Sequence, residues 1–472
     1  MPLPDSSSDG PIAADTLILG ATLVTLDAER RIITDGALAI HGDRIVAIGK
    51  RDALVPRIQA AEVVDGRGFV MTPGFVNAHI HISGEPLTRG YVPDDTGFAA
   101  NVFEWLIPLY QAHTPEEQHL SARLAAAEML RNGVTSFLEA GTILSLDAVI
   151  NGLAETGIRG RVGQWIQDRA FDPAQDQTAM IDDAMRRLDD QVRRYPLDGD
   201  ALVAAWPSLV GHQTNTDEIW RFATELARAN RVGVTAHMSP ADMDPQWYLE
   251  NTGRRPVTHL AELDALGPHL VLTHAVHLDE TEVALLAESG SNVCHCPMSA
   301  LKGAYGATAV GRFPEMADAG VNLALGTDGA NNGNTADMMR PMFLVAGLFK
   351  DARRDATRFP AHEALEMATL NGARALGMES EIGSLEVGKK ADLVLHDTQR
   401  PEWQPLLNVV NQLVWSADGR GVHSVWVDGR CVVADHRVTT LDENALYAAA
   451  AEAAPSIVAR SGLPDRQAWP LS

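Results

Sequence analysis

Cysteine is nearly absent: three residues, Cys294, Cys296 and Cys431, occur in a chain of 472. So sparse and odd a set excludes a disulfide framework and points to a reducing compartment, with the cytoplasm as the expected location. Basic residues are also in short supply. With 38 Lys and Arg against 62 Asp and Glu, the formal net charge is -24. That balance argues against a nucleic-acid partner, which needs a basic footprint. No apolar run reaches the roughly 20 residues of a membrane span, so no membrane partner is expected. Met1 to Gly10 has neither a basic start nor an apolar stretch, and does not read as a signal peptide. Internal repeats, low-complexity linkers and a phosphate-binding glycine fingerprint are missing as well.

What is present is an ordinary globular composition, 46% hydrophobic, on a chain long enough for a large core and too long for one small domain. Four short alternating runs open it: Thr16–Gly20, Thr22–Leu26, Ala37–Ile40 and Arg44–Ile48. Gly42-Asp43 and Asp65-Gly66 punctuate them, which predicts short antiparallel strands. Their complement lies near the other end, at Ala391–Leu395 and Val422–Val433. Few-stranded sheets are marginal alone, so the two halves are expected to join into one small β-sandwich around a long insert. The expected boundaries are 1–72 and 377–440 for the halves, 73–376 for the insert and 441–472 for a terminal helix and tail.

Within the insert, strand-like runs alternate with helical stretches, of which Thr114–Leu130 and Thr216–Ala229 are the clearest. Strands are expected before His79, at Asn132–Glu139, and near 160–166, 201–206, 231–237, 269–274, 291–296 and 321–328. Eight strands alternating with helices imply a parallel sheet and match a (β/α)8 barrel, an α/β fold. In such a barrel the chemistry sits at the C-terminal strand ends. One of these ends stands out, Pro73-Gly74-Phe75-Val76-Asn77-Ala78-His79-Ile80-His81. Residues at i and i+2 of a strand share a face, so both imidazoles can grip one ion. Three more apolar runs finish in His237, His274 and Asp328. The five side chains would meet at one barrel mouth. Cys294 and Cys296 flank His295 and face away from it, and read as buried apolar residues rather than ligands.

These residues resemble the amidohydrolase superfamily, in particular its branch of triazine hydrolases and aminohydrolases. The resemblance rests on the His-x-His run, on Thr273-His274-Ala275-Val276-His277-Leu278 and on Gly326-Thr327-Asp328-Gly329. Two later runs add to it: Met367-Ala368-Thr369-Leu370-Asn371-Gly372-Ala373-Arg374, and Ile382-Gly383-Ser384-Leu385-Glu386-Val387-Gly388-Lys389-Lys390-Ala391-Asp392-Leu393. It implies one divalent metal per chain, on His79, His81, His237 and Asp328, with His274 as a further ligand or as the group steadying the attacked atom. An imidazole-rich set suits zinc first and iron second. The fourth strand has no Lys to bridge a second metal.

The implied chemistry is hydrolysis. A divalent ion brings the pKa of water to about 7, Asp328 passes the proton to the leaving group, and His274 polarises the reacting carbon. The bland reading of Asp328 is a helix N-cap or an Asx turn before Gly329. Candidate substrate contacts are His277, His295, Trp105 and Asn331. His277 and His295 read equally well as structural; Trp105, Trp165 and Trp206 are candidates for the pocket wall, with core packing the better reading. The loops 83–103 and 300–312 are expected to choose the substrate.

One departure bears on the reaction. Relatives that deaminate rings carry a Glu three residues after the strand-five histidine, which passes a proton to the ring nitrogen. Here that position is Pro240, and a Ser expected after the Asp328 motif is Asn332. Asp242 and Asp244 are the nearby replacements. Without the Glu, the expected reaction is cleavage of an amide, carbamate or urea-like C–N bond in a small neutral molecule. The alternative is deamination or dehalogenation of a triazine-, purine- or pterin-type heterocycle. A homodimer or higher homo-oligomer is the expected assembly.

Overall fold

The computed structural model describes residues 11–198, 201–467 and 469. The expectation for Met1–Gly10 and the end of the 441–472 tail lie outside the described residues. The chain opens with β1 (Ile12–Val24), β2 (Ile32–His41), β3 (Arg44–Lys50), β4 (Ile58–Asp65) and β5 (Phe69–Pro73). The runs 16–20 and 22–26 are thus one strand, not two. The register shifts on either side of Ala21, after Gly20 at φ +88°. A bulge bends a strand without ending it.

The insert supplies two parallel sheets. One holds β6 (Phe75–Ile80), β7 (Val134–Glu139), β8 (Arg159–Val162) and β9 (Val203–Ala205), in that order. The other holds β10 (Ser208–Gly211), β11 (Val234–Met238), β12 (Leu270–His274), β13 (Asn292–His295) and β14 (Asn322–Leu325). The strand expected at 201–206 is therefore shorter, Val203–Ala205, and an unexpected one, β10, follows Pro207, which has no N–H to give a ladder. Hydrogen bonds span the break: Trp206 N–H donates to Val162 O at 2.8 Å and Thr235 N–H to Pro207 O at 3.1 Å. At the far edge, Asp328 N–H donates to His79 O at 3.0 Å, and the Asn77 amide bonds Thr327 at 2.7 and 3.0 Å.

The last strands, β15 (Leu393–Asp397), β16 (Val422–Val427), β17 (Arg430–Ala434) and β18 (Arg437–Val438), join the first five in one nine-stranded sheet. β5 carries the junction, antiparallel to β15 and parallel to β1. The opening strands are accordingly not all antiparallel, since β4 and β5 both run parallel to β1. The sheet is tied to the insert by charge. Arg159 of β8 donates to Asp392 at 3.1 Å and to Asp428 at 2.9 Å, and Gly74 N–H donates to Asp392 O at 2.9 Å.

Helices start where their caps dictate. Thr114 and Glu117 form a reciprocal capping box on the helix Pro115–Arg131, Thr216 caps Asp217–Asn230, and Asp442 caps Glu443–Ser461. Among the described residues no helix is long and apolar enough to cross a membrane. The core of the insert holds fully buried Phe75, Phe137, Leu272, Val293 and Phe349. Each contributes roughly 1.5–3 kcal/mol by burial.

Candidate active site

His79 sits in β6 and His81 just past it, His237 in β11, His274 at the end of β12, and Asp328 three residues beyond β14. All are brought together as the sequence predicts. Asp328 Oδ1 lies 3.1 Å from His81 Nε2 and 3.6 Å from His79 Nε2, and its Oδ2 lies 3.9 Å from His274 Nε2. The His237 ring centroid is 4.9 Å from that of His79 and 5.4 Å from that of His81. Backbone strain accompanies the cluster. His274 (φ +76°), Ala275 (φ +51°) and Asp328 (φ +61°) occupy the left-handed region, as residues at functional sites often do.

The outer ring nitrogens of His79, His81 and His237 have partners, while His274 Nδ1 is buried without one among the described residues. His237 Nδ1 donates to Val210 O at 2.8 Å, and Thr273 Oγ1 lies 2.9 Å from His79 Nδ1. The Thr142 hydroxyl donates to Glu139 Oε1 at 2.6 Å, so its oxygen, 3.3 Å from His81 Nδ1, accepts from that ring. Such partners fix the tautomer and turn Nε2 inward. His79 Nε2 is buried and has no hydrogen-bond partner among the described residues. Burial lowers the pKa of His79, drives that of His237 well below the usual histidine range and brings His274 to about 3. All three are thus held as the neutral imidazoles that bind metals. His81 differs: burial pushes it down, but the Asp328 carboxylate outweighs this and raises it to about 9. A cation in the cluster would displace that proton. Burial pushes Asp328 upward, yet the neighbouring His79 and His81 rings hold it well below the carboxylate range. Their donor atoms fall into two overlapping triads that could hold a metal ion, His79, His81 and His237 in one and His79, His274 and Asp328 in the other, each with its atoms within 4.8 Å of one another.

Above the cluster lies a cavity of about 60 Å³. His81, His237, His274 and Asp328 form its floor, and Phe98, Val102, Leu106, Tyr110, Trp165 and Tyr305 wall it with apolar surface. His212 and Asn332 add polar groups. The segment after β6 supplies Phe98 and, from the short helix Ala100–Leu106, Val102, and the loop after β13 supplies Tyr305.

The four candidate substrate contacts do not line this cavity. His277 Nε2 bonds Tyr305 O at 2.9 Å and so braces the Tyr305 loop. His295 is buried against Phe313, with ring centroids 3.8 Å apart, because its side chain leaves the strand on the outer face. Trp105 packs with Val92, Leu109 and Tyr110 under the first loop. Asn331 donates its backbone N–H to buried Glu85 at 2.5 Å and its amide to Thr88 at 3.2 Å. Both Cys294 and Cys296 are buried. Asp328 Oδ1 also accepts from the N–H of the next residue, Gly329, at 2.7 Å, which is one residue short of an Asx turn.

His212 is the residue that sequence reasoning missed. Ser208-Leu209-Val210-Gly211-His212 is another apolar strand ending in His. Taking 201–206 as the whole fourth strand hides it behind Pro207. The wall aromatics Phe98, Tyr110 and Tyr305 come from loops and a helix, where no periodicity marks them.

A family model described as "Amidohydrolase family" matches residues 70–432. A 5-methylthioadenosine/S-adenosylhomocysteine deaminase of Syntrophobacter fumaroxidans is 34% identical, over 92% of this chain and 96% of its own length. A 5'-deoxyadenosine deaminase of Methanosarcina mazei is 31% identical, over 95% and 99%. Among solved structures, an adenosine deaminase from Xanthomonas campestris with bound zinc superposes with a TM-score of 0.86 at 32% identity, over 95% of this chain and all of its own. Atrazine chlorohydrolase of Arthrobacter aurescens, with zinc, reaches 0.85 at 22% identity, over 93% and 100%, a likeness of fold.

Proposed function

This chain belongs to the amidohydrolase family and hydrolyses C–N bonds, and from that premise we propose that it is a metal-dependent deaminase of a small aminated nitrogen heterocycle. The observation that carries this is the cluster of four histidines and Asp328 opening directly into a cavity walled by aromatic rings. His79, His81, His237 and Asp328 would hold one divalent ion, zinc before iron, with His274 beside it. That ion supplies Lewis acidity and brings the pKa of water to about 7.

The protein's own groups do the rest. Asp328 Oδ1 is tied to Gly329 N–H and His81, which leaves Oδ2 to take the proton of the attacking water and return it to the departing amine. His274, against Oδ2, hydrogen-bonds the atom on which negative charge develops. Phe98, Tyr110, Trp165 and Tyr305 exclude bulk water and stack on a planar ring. The same reading takes the two parallel sheets as one closed (β/α)8 barrel over 73–376. The ladder of 1–72 and 377–440 is then a small sandwich beside it, and 441–472 its terminal segment. Hydrogen bonds across Pro207 and between Asp328 and His79 support the closure.

The relatives named as deaminases weight the ring reaction over the amide reaction. Pro240, where a glutamate would serve the ring nitrogen, favours the second reading, hydrolysis of an amide, carbamate or urea-like bond. Ammonia release from a panel of aminated purines, pyrimidines, pterins and triazines, set against primary amides and ureas, separates the two. Turnover confined to the amides and ureas would sink the first.

A further inference from the structure

The cavity over the cluster measures about 60 Å³. That is room for about two waters of roughly 30 Å³ each, whereas ligand pockets run from roughly 300 Å³ upward. An aminated ring system therefore reaches the cluster only if a wall moves. The strand ends beneath it belong to hydrogen-bonded sheets, so one of the two covering segments has to give.

The cover after β13 is pinned. His277 Nε2 donates to Tyr305 O at 2.9 Å, Arg353 to Gly311 O at 2.7 Å, and Lys302 Nζ to Asn331 O at 2.7 Å. The cover after β6, residues 91–106, is held more lightly. Val92, Trp105, Leu106, Leu109 and Tyr110 form a small apolar cluster of their own, apart from the core of the insert. Satellite clusters of this kind open at lower cost than the main core. The stretch Ala100–Leu106 winds as a π-helix, a rare form. Gly90, at φ +78° with open space where a Cβ would stand, gives a hinge at one end. At the other, Tyr110 Oη donates to buried Glu85 at 2.6 Å and anchors the chain. Between them Phe98 shuts the lip against Tyr305, ring centroids 5.5 Å apart.

The end of the chain holds this cover from outside. Among the described residues, 91–106 makes three hydrogen bonds to distant segments. Tyr91 Oη donates to Leu463 O at 3.1 Å, and Arg466 donates to Asp95 at 3.3 Å. The third, from Val92 N–H to the Asn331 side chain, is stretched to 3.5 Å. Leu463 also packs against the Trp105 cluster, and Arg460 donates to Ala112 O at 2.9 Å just beyond the cover.

We propose, on the reading of the cavity as the reaction site, that residues 91–106 are a lid that opens to admit substrate and that residues 460–466 are its latch. Opening parts Tyr91 from Leu463 and Asp95 from Arg466, and withdraws Phe98 and Val102 from the cavity. Closing restores the apolar wall and shuts water out.

The test uses the zinc-loaded full-length protein with Tyr91→Phe, Arg466→Ala, and Asp95→Cys/Arg466→Cys joined by a reducible bismaleimide. Hydrogen exchange in 91–106 should rise by about 3- to 10-fold in each of the first two, the size of one exposed hydrogen bond, with β6–β14 at the parent rate. Removal of zinc by 1,10-phenanthroline, a planar heterocycle that has to pass the lid, should quicken by a similar factor. Cross-linking should slow zinc removal and turnover of the best heterocycle by about tenfold or more, and reduction should return both to the level of Arg466→Ala. Parent protein given the same reagent controls for Cys431. Parent-like exchange in both latch variants would overturn the latch. Zinc removal and turnover untouched by the cross-link would overturn the lid and leave the proposed function standing. A lid that behaves as described on a protein that turns over no heterocycle would count against the proposed function alone.

Discussion

Asp328 divides its two oxygens between tasks. Oδ1 is held by Gly329 N–H and faces His79 and His81, while Oδ2 faces His274. Asp328→Asn keeps the shape and removes the proton acceptor. Turnover is expected to fall by about 10²–10⁴-fold, the usual size of general acid–base assistance. Metal content, measured by atomic emission on the same samples, should remain partial. Near-normal activity would remove the assigned role. His295 teaches the opposite lesson, because a histidine at a strand end near the cluster is buried among phenylalanines. Burial drives it down to about 3. The unfolded chain binds its proton below about pH 6.5, whereas the folded protein refuses it until about pH 3. Stability therefore declines as pH falls through that window. His295→Leu should flatten the decline between pH 7 and 5, read as urea midpoints, and an unchanged slope would count against the burial argument.

At the level of elements, the strands that bear the cluster are legible because each is an apolar run ending in a ligand type. Two of the places where the expected element boundaries differ from the structure are a bulge and a proline. At Gly20 a turn-like residue sits inside a continuous strand, and at Pro207 two short strands, β9 and β10, stand where one was expected. Local composition does not separate these cases, since only pairing with neighbours decides whether a strand continues. The link between insert and sheet is likewise a tertiary matter. Arg159 and Asp392 are both almost completely buried, and Asp392 belongs to the Lys-Lys-Ala-Asp-Leu run that carries the resemblance. Arg159→Ala strands Asp392 without its partner. It should cost about 3–5 kcal/mol, the range for breaking one side of a buried pair. Chemical denaturation would read this directly, and a loss below about 1 kcal/mol, the size of an exposed pair, would show the pair to be solvated.

For the whole molecule, the cluster gathers side chains from positions as distant as 79 and 328, so its metal should act as a clasp on the fold. Chelation is expected to abolish activity and lower the melting temperature, and added zinc to restore both. Free metal a hundredfold above Kd would stabilise the protein by about 2.7 kcal/mol. A melting curve indifferent to chelator would argue against a bound ion. The sequence by itself made legible the α/β class, the five side chains that the fold gathers and, through the motifs around them, the family, because periodicity and strand-end chemistry are local and repeat along the chain. Tertiary structure alone decided which residues wall the cavity. His212 enters it and His277, His295, Trp105 and Asn331 do not, since the face a side chain meets depends on loop paths, on a left-handed turn after Gly211 and on neighbours far away in sequence.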